Sequence, residues 1–134
     1  MTKKRLLVCV AVLIVMLLAV VGIDALMQKG EKPFQKIEIR EASVKMLATQ
    51  ELFAISDVDA LQAVLNDMVV YEKDDSWRQR NGIDYVLMLV LTDGTQMEIR
   101  EGGSFIAIDE IGYRAEYKPC EKLNDFVHSF VKTN

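Results

Sequence analysis

Apolar residues run without interruption from Leu6 to Val21 (LLVCVAVLIVMLLAVV), with Lys3, Lys4 and Arg5 just before them. Backbone polar groups in hydrocarbon must bond to one another, so a run of this kind predicts a helix. Carried on to Met27, it rises about 33 Å at about 1.5 Å per residue, enough to cross a hydrocarbon core of about 30 Å. Asp24 then falls near the far interface, and the three basic residues hold the N-terminus in the cytoplasm. The division that follows is a cytoplasmic N-terminus at 1–5, a transmembrane anchor at 6–27, a polar linker at 28–33 (QKGEKP) and an extracytoplasmic domain at 34–134. A cleaved signal peptide is the rival reading. Its apolar core normally spans about 7–15 residues, and Val20-Val21-Gly22 offers a usable cleavage pattern. Both readings export the domain.

Beyond the linker the apolar period shortens. Ile37 and Ile39 alternate with Lys36, Glu38 and Arg40, the period of a half-buried strand. Leu52–Ile55 predicts a second, short strand. Ser56-Asp57-Val58-Asp59 fits a capped helix start with Ser56 as the cap. Val58, Leu61, Leu65 and Met68 then fall on one helical face, with Val64 beside them. Val69–Lys73 predicts a strand, and Asp74–Gly82 a polar loop. Tyr85–Thr92 (YVLMLVLT) is the most apolar strand and is expected to be interior. Asp93-Gly94 marks a hairpin, after which Thr95–Arg100 returns with Met97 and Ile99 inward. Gly102-Gly103 predicts a turn, Phe105–Ile108 a strand, and Tyr113–Tyr117 an edge strand. Pro119 suits the start of a last helix over Cys120–Lys132, whose Leu123, Phe126, Val127, Phe130 and Val131 form one apolar stripe. The fold class expected is α+β. An antiparallel, meander-like sheet is packed on one face by two amphipathic helices and preceded by one N-terminal transmembrane helix.

Charge and cysteine usage narrow the function. Of the chain's 16 basic and 20 acidic residues, the first 28 positions take Lys3, Lys4, Arg5 and Asp24, which leaves the rest at −6. An acidic domain is a poor partner for nucleic acid or an anionic membrane surface. About 100 residues suffice for one core without staples. The two cysteines, Cys9 and Cys120, fall on either side of the linker, so no disulfide forms within the domain. No C-x-x-C and no Gly-rich phosphate loop occurs. His128 is the only histidine, and eight helical residues put it about 12 Å from Cys120, too far to share a metal or a proton. The sequence therefore nominates no catalytic residue, metal ligand or cofactor, and the expectation is a protein that is not an enzyme.

Two places merit attention for binding. Cys120 stands near a helix start, where partial positive charge lowers a thiol's pKa. A mixed disulfide or a dimer bridge would use such a thiol; a half-buried structural cysteine would not. Trp77, Arg78 and Arg80 share the longest polar loop, and Trp and Arg dominate binding hot spots. They are the candidate contact with a partner, the alternative being that Trp77 folds back and pins the loop to the core.

The pattern Gly112-Tyr113-Arg114-x-x-Tyr117-x-x-Cys120-x-x-Leu123 before a terminal helix resembles small uncharacterised exported domains of Gram-positive bacteria, membrane-anchored or lipoprotein-like. The resemblance covers roughly the last third of the chain and the N-terminal layout. This chain departs from the lipid-bearing members, since Val8 precedes Cys9 where lipid processing prefers a small residue. The resemblance implies an extracytoplasmic address and no defined activity. The expected function is a membrane-tethered binding or regulatory module that uses its loop or an exposed strand edge to contact another envelope protein or a peptide. The alternatives are an immunity or inhibitor-type protein with an acidic binding face, and a small cell-envelope enzyme.

Overall fold

The computed structural model describes residues 3–4, 10–11 and 30–133. The predicted transmembrane segment, apart from residues 10–11, lies outside them. No helix among the described residues is long and apolar enough to cross a membrane. The chain divides into two compact units, Met1–Gly30 and Glu31–Asn134. The second holds strands β1 (Ile39–Met46), β2 (Leu52–Ile55), β3 (Val70–Lys73), β4 (Tyr85–Leu91), β5 (Gln96–Glu101), β6 (Phe105–Ile108) and β7 (Ile111–Ala115). Helix α1 (Val58–Asn66) follows β2, and α2 (Tyr117–Thr133) follows β7.

The strands form one antiparallel sheet in the order β2-β1-β4-β5-β6-β7-β3. The run β4 to β7 is the meander that the closely spaced turns foretell. The β1–β2 hairpin joins it beside β4, and β3 crosses to the far edge. The expected edge strand at Tyr113–Tyr117 is thus corrected on two counts. Residues Ile111–Ala115 are interior, between β6 and β3, and Tyr117 opens α2 as an exposed residue. Sequence order alone does not reveal that β3, formed earlier, will lie outside β7.

Two-residue alternation sends one set of side chains to each face. Ala42, Val44, Tyr85, Leu87, Leu89, Leu91, Ile99 and Ile106 point to the same side, where Leu61, Leu65 and Met68 of the α1 region and Cys120, Leu123 and Val127 of α2 meet them in one buried cluster. Phe34, in a short 3-10 turn over Pro33–Lys36, closes the cluster near α1. Gln62 of α1 ties that turn down, donating to the Phe34 carbonyl at 3.2 Å while its own carbonyl accepts from Ile39 N–H at 3.2 Å.

The helix start is one residue later than the Ser56 pattern suggests. Asp57 is the cap and accepts from Ala60 N–H at 3.0 Å. A carboxylate there also meets the positive end of the helix dipole. The linker is shorter than its composition implies, because Glu31 exchanges two backbone hydrogen bonds with Val70, each 2.8 Å. The segment before Pro33 thereby meets the outer edge of β3 at Val70.

Leu123 lies fully buried between α2 and the sheet. We expect Leu123→Ala to lower unfolding free energy by about 2–5 kcal/mol, read from denaturant midpoints at an unchanged slope. A loss below about 1 kcal/mol would mean that α2 does not close the core as described.

Candidate functional site

The face away from the helices is divided. Over β6 and β7 it is covered by the chain between β3 and β4, where Asp75–Gln79 forms a 3-10 turn. Asp74 starts that turn by accepting from Ser76 N–H at 3.0 Å, and the Ser76 side chain, with this N–H second, holds its carboxyl below the usual range. The turn delivers Trp77 onto Phe105 and Ala107, with Ile83 alongside. Gly112 makes this possible. A Cβ at that position would lie 2.1 Å from Trp77 Cδ1 and 2.3 Å from the Asp74 carbonyl.

Trp77 is 6% exposed, so its ring lies beneath the surface of the folded chain. Arg78 and Arg80 are exposed. The Arg78 guanidinium stacks 4.8 Å from the Trp77 ring centroid, with Arg100 at 5.7 Å, and Arg80 lies over Phe105 at 5.4 Å. Each arginine also has a carboxylate: Glu110 for Arg78 at 4.0 Å, Asp74 for Arg80 at 3.3 Å and Glu98 for Arg100 at 2.7 Å. The three predicted contact residues are therefore together, with the aromatic ring inside and two ion-paired arginines outside.

Of the two readings of Cys120, its burial fits the structural one. It is the fourth residue of α2 rather than the cap, is 0% exposed, and has Sγ 3.7 Å from Met68 Sδ and 3.9 Å from the Phe105 carbonyl. Burial pushes the thiol up to about 12, and the nearby Glu101 charge adds to the effect. Desolvation outweighs the helix start here, and the folded chain presents no reactive thiol at this position.

Glu101 is the residue that pattern reading missed. Continuing the inward series Met97, Ile99 by two reaches it, and that alternation was the available signal. It is 3% exposed. Tyr85 OH donates to its Oε1 at 3.0 Å and Gly103 N–H to its Oε2 at 3.2 Å. Burial raises its pKa against the opposing pull of those two donors. The Tyr85 phenol is raised well above its ordinary value by burial and by the Glu101 charge. A cleft of about 220 Å³ lies alongside, lined among others by Asp84, Glu101, Tyr117, Glu121 and Asn124. His128 stands close by, its Nε2 3.6 Å from Asp84 Oδ2 and its ring edge-on to Tyr85. Among the described residues no group of three or more His, Cys, Asp or Glu is placed to hold a metal. With both oxygens engaged, Glu101 serves to bind the end of β5 to β4.

Among the described residues, no segment covers the other half of the second face, over β1, β4 and β5. Two shallow clefts of about 430 and 390 Å³ share Ser43, Met88 and Val90 on this face. The first also reaches Ala54 and Ile55 of β2, an edge of the sheet. Met46 N–H donates to the Glu51 carbonyl at 2.9 Å, which sets the hydrogen-bonding alternation along β1 and β2. Leu52 and Ala54 fall in the positions whose main-chain groups point away from β1. Leu52 is also the most exposed large apolar side chain among the described residues, at 62%. The geometry defines an α+β domain in which, among the described residues, one sheet edge is paired at Val70 and the other, β2, has no added strand. No family model, curated protein or solved structure matches the chain.

Two outcomes are expected. Gly112→Ala should expel Trp77 from its seat, costing about 1–3 kcal/mol by overpacking and red-shifting the emission of the chain's single tryptophan; unchanged emission would contradict the packing. For Glu101, a folded-state pKa above the ordinary value means the folded chain holds the proton longer than the unfolded chain. Its contribution is complete below the ordinary pKa and is lost as pH rises through the folded value. Glu101→Gln should therefore flatten the decline of stability with pH above about 4.5, the ordinary value. Parallel thermal-melt profiles for both proteins would refute that role.

Proposed function

We propose that this chain is a membrane-tethered extracytoplasmic binding or regulatory module, anchored through residues 6–27 with its N-terminus in the cytoplasm. Its contact is the open edge of β2 together with the adjoining clefts over β1 and β4. The carrying observation is an asymmetry of the two edges among the described residues: Glu31 pairs with Val70 of β3, while Leu52 and Ala54 of β2 offer main-chain groups with no partner there. Natural edges are commonly blunted by charge, proline or a bulge. β2 (LFAI) has no charge and no proline, and its pairing with β1 shows no register shift. An extended segment that adds to such an edge gains main-chain bonds for affinity and alternate side-chain contacts for specificity. The apolar run at residues 6–27, with its basic flank, supports the address, as does the resemblance of residues 112–123 to exported domains.

On this reading Trp77 anchors the turn, and Arg78 and Arg80 border the covered half of the face. A small envelope enzyme is the second reading, favoured only by the raised carboxyl of Glu101 beside its cleft. The occupied state of both Glu101 oxygens ranks it below a binding role.

The test uses the full-length chain in its membrane, with a photo-crosslinking residue placed at Leu52 or, as a control, at Lys122 on the exposed side of α2. A discrete adduct from position 52, weak or missing from 122, is expected. Ala54→Pro should abolish it, because that change deletes an outward N–H and leaves the bonds to β1 intact. Equal labelling from both positions, or an adduct indifferent to Ala54→Pro, would overturn the proposal.

A further inference from the structure

We propose that the segment seated on β2 is β2 of a second copy of this chain, so that two sheets join edge to edge about a two-fold axis through Phe53. This rests on the reading that the β2 edge is the contact, and it names the partner.

The argument is self-complementarity. Only Leu52 and Ala54 turn their main-chain groups outward in β2. An antiparallel copy that sets Leu52 against Ala54, and Ala54 against Leu52, satisfies both residues on both chains at once. Each such pair exchanges an N–H···O bond in both directions, so the N–H and C=O of both residues are all used. Any other two-fold register leaves an outward group facing a gap.

Side chains agree with that register. Leu52 and Ala54 lie on the open face, because their neighbours Phe53 and Ile55 pack toward the helices. In the pair, the projecting Leu52 of one copy sits beside Ala54 of the other, and Ser43 is the next residue across on β1. Those two small residues line the hollow bounded by Met88 and Val90. One surface thus carries both a projection and a depression, and a two-fold operation brings them together, as an isologous contact requires. On the helix face Phe53 meets its own copy in a closely spaced pair, a favourable cross-strand arrangement for aromatics. Glu51 falls opposite Ile55, so no like charges face one another. The −6 charge of residues 29–134 in each copy opposes approach at long range, but beyond about 8 Å it is screened at physiological ionic strength. The contact itself is uncharged.

Cysteine pairing in the full-length chain tests the register, in a Cys9→Ser background with buried Cys120 retained. Phe53→Cys should form a disulfide dimer on mild oxidation, doubling the mass on a non-reducing gel. Leu52→Cys alone and Ala54→Cys alone should stay monomeric. Like positions there lie two residues out of register, roughly 8 Å apart between Cα atoms, beyond the reach of a disulfide. A mixture of the two variants should dimerise. This pair of variants also reports independently if Phe53→Cys fails to fold. Equal dimerisation at all positions, or at none, would overturn the two-fold pairing. If in addition the Leu52 photo-adduct has a mass other than twice the chain, the edge is a contact for a different protein and the binding-module reading survives. If no adduct forms at all, that reading fails as well.

Discussion

A seven-stranded sheet has two faces, and two helices cover only one of them. Most other features of the domain follow from that shortfall. The alternating residues of β1, β4, β5 and β6 bury one face beneath α1 and α2. The opposite face must then be shielded by something else or left in water. Over β6 and β7 the shield is Trp77, delivered by the Asp75–Gln79 turn and admitted by Gly112. The same turn packs on β6 and β7 rather than on β4 and β1, where Met88 and Val90 line a shallow cleft.

Local periodicity was a good guide to elements and a poor one to their neighbours. The strand at Tyr85–Leu91 is interior, and the stripe on α2 packs where its spacing points it. The residue opposite Ala115 on the neighbouring strand, by contrast, is Val70, forty-five positions earlier, and nothing in either segment encodes that pairing. The fate of Trp77 turned on the missing Cβ of a glycine 35 positions away. Glu101 was open to detection, since it continues the inward series of β5, but a charged residue at the end of an apolar alternation is naturally read as the point where the strand emerges into water. The clefts over β4 became visible only when strand order showed which face the helices leave bare.

The end of β5 shows how burial and hydrogen bonding compete at close range. The Glu101 carboxyl accepts two donors that favour its charged form, yet removal from water prevails and its proton is held more tightly than usual. Tyr85 and Cys120 feel the same enclosure and the same neighbour, and both resist ionisation. In all three groups burial disfavours the charged form. A motif-based view of Cys120 sees only the helix dipole; the surrounding Met68 and Phe105 contacts determine the outcome.

The pairing of Glu31 with Val70 has a mechanical meaning as well. Tension applied through the chain preceding Glu31 reaches the domain at a single rung of two hydrogen bonds on the rim of β3. A rung loaded at its end peels rather than shears, so it yields before the sheet behind it. Its release would lengthen the chain between Gly30 and Pro33 and bare the main-chain groups of Val70. The first response to a pull is then a change in edge availability on the strand remote from β2, with the helix-covered core still intact.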